Sequence, residues 1–292
     1  MKTYRLAWGN HRLVLGKRTC IMGIVNVTPD SFSDGGKFFS RDDAIAQGQK
    51  LFEEGADILD IGGESTRPFS DAVSAEEEIR RVIPVIENLA ERISIPISID
   101  TTKSDVARRA IQAGASMIND VSALRLDHGI ADVAAEYDIP VILMHMLGTP
   151  KTMQTHPVYD DLIKEIKEFL KNAVDYAESK GISKSKIIID PGIGFGKTVE
   201  HNLLLIKHLH EFKTLDVPIM IGPSRKAFIR NILKHKTVKD INPDLAVVET
   251  GTQASVAAAV LNGAHMVRVH DVANTRATIK IINAIKNVPY NS

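Results

Sequence analysis

The chain has 292 residues, more than a typical single domain, yet α/β barrels often reach this size as one unit with a large core. Lys+Arg and Asp+Glu are equal at 36 each, so no global field would steer nucleic acid or an anionic membrane towards it; an anion site must be built locally. Cys20 is the single cysteine, which rules out an internal disulfide and a cysteine-based metal cluster. No apolar stretch approaches the ~20 residues of a membrane span, and the opening residues hold no signal-peptide core. A soluble, cytoplasmic protein is expected.

In chain order, short β-branched runs alternate with longer stretches of helical period. The first strand is expected at Ile21–Val27, followed by a helix over Asp42–Glu54. Strand Ile58–Gly62 precedes helix Ala75–Arg92, and Pro96–Asp100 precedes Lys103–Ala113. Met117–Val121 leads to Ile130–Tyr137, and Val141–His145 to Tyr159–Lys180. Ile187–Asp190 leads to Glu200–Phe212. Ile219–Gly222 is followed by two helical stretches, Arg225–Leu233 and Asp244–Leu261, and Met266–His270 by Thr275–Ile285. Eight such units imply parallel pairing with right-handed crossovers. The expected fold is an α/β (β/α)8 TIM barrel, one domain over residues 1–292, with an open doubly wound sheet as the alternative. The lack of Gly-x-Gly-x-x-Gly after the first strand favours the barrel. Gly55, Gly114 and Gly263, each followed by alanine, fit helix C-caps just ahead of strands, and Lys234–Pro243 fits a solvated loop.

Alternation within strands then sorts the polar residues. In Pro96–Asp100, Ile97 and Ile99 share one face, which turns Ser98 and Asp100 to the barrel axis. The same parity puts Arg268 and His270 together, and sets Asp190 opposite Ile187 and Ile189. Asn26 and Asn119 also close apolar runs. Burying an unpaired charge costs several kcal/mol, so these groups belong at a wet mouth or in pairs. All lie at C-terminal strand ends, where barrel enzymes keep their chemistry. Each one alone fits a capping or paired residue equally well; together on one rim they favour a site. Two Gly-rich loops, Asn26–Gly36 and Gly62–Pro68, follow the first two strands and could bring backbone N–H groups to phosphate oxygens.

The run Asn26-Val27-Thr28-Pro29-Asp30-Ser31-Phe32-Ser33-Asp34-Gly35 and the segment Gly62–Pro68 resemble the two signature loops of dihydropteroate synthases. Ile99-Asp100-Thr101, Ile118–Val121, Met144-His145-Met146, Asp190–Phe195, Ser224-Arg225-Lys226 and Arg268–Asp271 match further motifs of that family, in its order, from Cys20 to the last helix. The resemblance implies a transferase that condenses 6-hydroxymethyl-7,8-dihydropterin diphosphate with p-aminobenzoate, yielding 7,8-dihydropteroate and pyrophosphate. It assigns the pterin to Asp190, Asn119, Asp100 and Lys226, lined by Met144. It assigns pyrophosphate to Arg268, His270 and Thr66, and Mg2+ to Asn26. It assigns p-aminobenzoate to Phe32, Arg67, Pro68, Phe195, Ser224 and Lys226, with a helix N-terminus opening at Arg225. Lys226, Arg268, His270 and Asp100 are the expected catalytic set. Sulfonamide competition and a homodimer follow from the same resemblance. Pro223 departs from the pattern and removes a backbone donor beside Ser224.

Other residues call for plainer explanations. His145 fits a hydrogen-bonded core histidine, and Asp60 either a catalytic group or a paired one. His208 and His210 point to different helix faces and make a poor metal pair. Glu76–Arg81 fits an exposed helix face. Competing functions are a pterin-dependent methyltransferase, which the Ser65–Pro68 and Ser224–Lys226 segments oppose, a silent pterin-binding paralogue, and an aldolase, which needs a desolvated lysine that no strand of this chain carries in its interior.

Overall fold

The computed structural model describes residues 2–28, 41–65 and 72–289, apart from the side chain of Asn287. It opens with an antiparallel hairpin that the strand pattern above leaves out, β1 (Tyr4–Trp8) and β2 (His11–Leu15). Trp8 pairs with His11 across a two-residue turn, and Gly9, at φ 47°, takes the left-handed first position that such a turn demands. Alternation buries Leu6, Trp8 and Leu15 and leaves Arg5 and Arg12 exposed. The Tyr4 ring meets His265 edge-on at 5.1 Å and Lys2 pairs with Asp216, both partners lying just before barrel strands. The hairpin is therefore the floor of the barrel.

The barrel strands are β3 (Cys20–Asn26), β4 (Ile58–Gly62), β5 (Ile97–Asp100), β6 (Met117–Asp120), β7 (Val141–Met144), β8 (Ile187–Asp190), β9 (Met220–Ile221) and β10 (Met266–Val269). They form one eight-stranded sheet of parallel pairs, β8-β7-β6-β5-β4-β3-β10-β9. Its ends meet through the bridge Ile189↔Ile219 and an N–H of Ile189 donating to Pro218 O at 3.0 Å. On its other side the Ile219 carbonyl accepts from His265 N at 2.9 Å and Met266 N at 3.2 Å, yet the regular seventh strand covers only Met220–Ile221, shorter than its sequence suggested. Both faces of nearly every strand are buried, hence the unbroken Ile-rich runs.

Around the sheet lie α1 (Arg41–Glu54), α2 (Ala75–Ala90), α3 (Ser104–Gln112), α4 (Gly129–Glu136), α5 (Leu162–Ser179), α6 (Val199–Lys207), α7 (Ala227–Leu233), α8 (Ala246–Leu261) and α9 (Val272–Asn287). Gly55 and Gly114, at φ 98° and 116°, end α1 and α3 in the left-handed conformation that stops a helix. Two expectations need correction. The sixth helix stops at Lys207 and tightens into a 3-10 segment, Leu209–Leu215, so His208 and His210 do not share an α-helix. The seventh begins at Ala227 rather than Arg225, because Arg225 sits at φ 58°, outside helical space. Its N–H donates to Thr252 Oγ1 at 3.1 Å and its carbonyl accepts from Arg230 Nη1 at 2.7 Å, which hold that conformation.

One continuous apolar core runs from the floor through the barrel to the helices. A second, small cluster of Val121, Met144, Met146, Met153 and Phe195 stands apart from it at the opposite mouth.

Candidate active site

Strand register converts distant sequence positions into neighbours. Asn26 is level with Gly62, Gly62 with Asp100, and Asp100 with Asn119, giving one lateral row at the C-terminal rim. Gly62 contributes no side chain to the row; a Cβ there would lie 3.4 Å from that of Asp100. On the far side Met144 is level with Asp190. One turn deeper, Asp60 is level with Ser98.

The centre is an ion cluster. Arg268 reaches inward from β10, donating through Nε to Asp60 Oδ2 at 2.6 Å and through Nη2 to Asp100 Oδ2 at 2.7 Å. Asn119 Nδ2 donates to the same Asp60 oxygen at 2.9 Å. Asp60 is thus a paired anchor, which settles the alternative left open by its position in the strand. These charges sit in low dielectric, where breaking a pair costs ~3–5 kcal/mol. The second oxygens of Asp60 and Asp100, the Asn119 carbonyl and the Ser98 hydroxyl are buried without hydrogen-bond partners. Native proteins keep few such atoms, and a cluster of them marks a place where a ligand completes the network.

Burial raises the Asp100 carboxyl to about 7, with Arg268 opposing the rise and Asp60 adding to it. Such a group can accept or hold a proton near neutrality. Burial also raises Asp190 to about 6, against the Gly192 N–H, which it accepts at 2.7 Å, and against the charges of Lys226, Lys197 and Arg268. A carboxylate here presents an anionic edge to a donor-rich ring.

Beyond β9, the Lys226 ammonium lies 4.1 Å from the centroid of the Phe195 ring. Ser224 Oγ is 2.9 Å from His270 Nδ1 and accepts from the His270 backbone N–H at 3.2 Å. Ser224, His270, Arg268, Lys226 and Asn26 line the cavity that also holds Asp100, Asn119, Met144, Asp190 and Phe195. The expected residues therefore meet in one place, apart from Phe32, Thr66, Arg67 and Pro68, which lie outside the described residues together with most of the first signature loop. The anion contact expected from a helix opening at Arg225 is corrected: α7 starts two residues later, with Lys226 as its N-cap.

Sequence reasoning missed two groups. Lys197, after the glycines of the β8–α6 loop, is buried with its ammonium 2.9 Å from His145 Nδ1 and from Phe195 O. Only its place after Gly194-Phe195-Gly196 hinted at this, since strand parity does not extend into loops. His145 accepts from Lys197, so it is the bonded core histidine expected, and burial beside that cation lowers it to about 2. Lys103 joins Glu64 at 2.5 Å and Glu78 at 2.6 Å, while Glu64 Oε1 accepts from Val73 N at 2.8 Å. This ties Glu64 and Val73, on either side of the connection between β4 and α2, to α2 and α3. Glu78 resembled one charge of an exposed face, yet it is buried at 0% exposure, and burial raises it while Lys103 opposes the rise.

Among the described residues no group of three His, Cys, Asp or Glu side chains could hold a metal. Asn26, a carboxamide at the rim, offers one hard oxygen, which fits Mg2+ only if substrate oxygens and water supply the remaining ligands. Nor is any helix among the described residues long and apolar enough to cross a membrane.

A parallel barrel whose carboxylates, amides and cations converge at the C-terminal mouth defines a barrel enzyme for a small, polar substrate. The chain belongs to the pterin binding enzyme family, whose profile matches residues 22–270, and within it to the dihydropteroate synthases. It is 48% identical over 270 residues to the dihydropteroate synthase of Synechocystis, covering 92% of this chain and 91% of that one. It is similar to the structure of the Xanthomonas albilineans enzyme with 4-aminobenzoic acid, at TM-score 0.89 and 46% identity over 99% of this chain and 100% of that one. The same enzyme in complex with 7,8-dihydropteroate matches at TM-score 0.85 and 44% identity, over 98% and 100% of the two chains.

Proposed function

We propose that the chain condenses 6-hydroxymethyl-7,8-dihydropterin diphosphate with p-aminobenzoate. It is a transferase, a dihydropteroate synthase by family. The observation that carries the reading is the convergence of Asp100, Asn119 and Asp190 with Arg268 and Lys226 in one cavity. Asp190 and Asn119 would take the amino-pyrimidine edge of the pterin, the first as a forked acceptor, the second through its unpaired carbonyl. Asp100 would complete that pocket with Lys226, over Met144.

The diphosphate would then point towards Arg268 and His270, with Thr66 alongside. Arg268 spends two of its five N–H donors on carboxylates, which leaves three for phosphate oxygens. Mg2+ held at Asn26 would neutralise the departing charge. The methylene carbon–oxygen bond breaks with its electron pair leaving on pyrophosphate. The aniline nitrogen of p-aminobenzoate then forms the new bond through its lone pair and loses a proton. Fixed cations beside the leaving group favour that first, dissociative step. Phe195, Ser224 and Lys226, with Phe32, Arg67 and Pro68, would hold p-aminobenzoate, and a sulfonamide would compete there.

We further infer a cytoplasmic homodimer. The dimer is supported by exposed apolar side chains on three helices that pack on one another, Leu203 on α6, Ile232 and Leu233 on α7, and Val247 and Leu261 on α8. Light scattering of the purified protein checks it.

The activity test is pyrophosphate release on mixing the two substrates with Mg2+. Release that depends on both supports the reading; none sinks it. A methyl donor consumed in its place would favour the methyltransferase alternative.

A further inference from the structure

Several backbone groups of the β8–α6 loop are held by side chains. Gly194 N donates to Asn202 Oδ1 at 2.7 Å, Gly194 O accepts from Gln154 Nε2 at 2.7 Å, and Gly196 O accepts from Tyr159 OH at 2.8 Å. These three side chains are neutral. The carbonyl between them, that of Phe195, is held instead by the ammonium of Lys197 at 2.9 Å. A neutral donor could satisfy that carbonyl, so the charge calls for its own explanation.

Lys197 is 3% exposed and lines the cavity. Its second partner, His145 Nδ1, can only accept, so that bond uses no charge either. Burying an ammonium is costly unless something opposes it. The opposing charge is Asp190, which favours the charged lysine, while Lys226 disfavours it. Lys197 and Asp190 line one cavity, and both hydrogen bonds of the Lys197 ammonium go to neutral acceptors.

We propose that Lys197 is a positioning residue for the reaction: its buried ammonium supplies a positive charge to the cavity it shares with the pterin-facing carboxylate of Asp190 while pinning the Phe195 carbonyl and hence the ring beside Lys226. It acts through Asp190 and Phe195. The inference rests on Asp190 being the pterin acceptor. Burial lowers Lys197 itself to about 7, so it is charged through the range below neutrality in which Asp190 titrates. The charged groups around Asp190 are Lys226 from the β9–α7 turn, Arg268 from β10, Lys197 from its own loop, Asp100 and Asp60 through Arg268, and Arg125 behind the neutral His145.

The experiment is a fluorescence titration with 6-hydroxymethylpterin from pH 5 to 8, on wild type, K197M, K197Q, K197R and D190N. In wild type, affinity should fall as pH drops through about 6, where Asp190 takes up a proton. K197M should start to lose affinity roughly one pH unit higher, because an attractive charge has gone. K197R should keep the wild-type midpoint. K197Q, a neutral donor, should follow K197M and serves as the second variant if K197M does not fold. The KM for p-aminobenzoate should rise in K197M through the freed Phe195. A uniform loss at every pH, with the wild-type midpoint kept in both neutral variants, overturns the charge role. A D190N profile identical to wild type overturns the pterin reading of Asp190, and the inference with it; a D190N profile that loses the step near 6 and keeps only that of Asp100 near 7 keeps that reading whatever Lys197 does.

Discussion

At the floor of the barrel, Leu6, Trp8 and Leu15 close against apolar strand starts such as Cys20 and Ile187, and this end joins the main core. At the mouth, the same strands end in Asn26, Asp100, Asp120 and Asp190, several buried oxygens have no partner, and the small apolar cluster there is separate. Both ends hold buried polar atoms without partners, Trp8 Nε1 and His265 Nε2 at the floor among them, but of the two only the mouth, among the described residues, has them on carboxylates, Asp60 and Asp100. Apolar packing needs only volume and stabilises wherever it occurs, whereas desolvated polar groups cost free energy until a ligand arrives. The molecule thus separates the part that keeps it folded from the part that binds.

Removing the central cation would break this division most severely. Arg268→Ala should slow pyrophosphate release in a single turnover by about 10²–10³-fold, as loss of a charge-stabilising donor does. It should also destabilise the protein by ~3–5 kcal/mol, since Asp60 and Asp100 lose their shared partner. A normal single-turnover rate would remove Arg268 from the reaction.

Trp8→Ala probes the floor alone. It should cost ~3–5 kcal/mol in urea denaturation and leave pterin affinity unchanged at 25 °C. A changed affinity would mean that the two ends are coupled.

Asp190→Asn should act in the reverse sense, weakening pterin binding by ~1–3 kcal/mol. The folded-state value of Asp190 is raised to about 6. Its native form therefore binds more protons than the unfolded chain between the ordinary carboxylate range and about 6, and stability falls as pH rises through that window. Above it the buried charge counts fully against folding, so at pH 8 the variant should melt no lower than wild type. A clear loss of Tm there would show Asp190 to be structural. Ser224→Ala should have the smallest effect, raising the KM for p-aminobenzoate about fivefold, a hydrogen bond's worth, with the pterin constant unmoved.

Much of the mouth was legible. Parity within Ile97–Asp100 and Met266–Val269 placed Asp100 and Arg268 inward, because a barrel strand buried on both faces can turn a charge only towards the axis or the rim. The floor hairpin lies outside the strands expected from sequence although Leu6 and Trp8 alternate and Gly9-Asn10 is a turn pair, because two five-residue strands bury too few side chains to give a strong period. Lys197 and Glu78 were out of reach for another reason. One lies in a loop and the other in a run of charges, and no periodicity tells which charge a fold will bury. The start of α7 was set by the left-handed Arg225, held by Thr252 and Arg230 from elsewhere in the chain.

By itself the sequence determined the alternation of eight strands with helices, the face each strand charge takes, and the family. These depend on local period and on motifs a few residues long. Only the tertiary structure decided that Asp60 anchors Arg268 and Asn119, that Lys197 shares a cavity with Asp190, and that Lys103 joins Glu64 to Glu78. Such pairings depend on register and on the close approach of segments 25 to 208 residues apart, where burial rather than local pattern sets the energy of a charge.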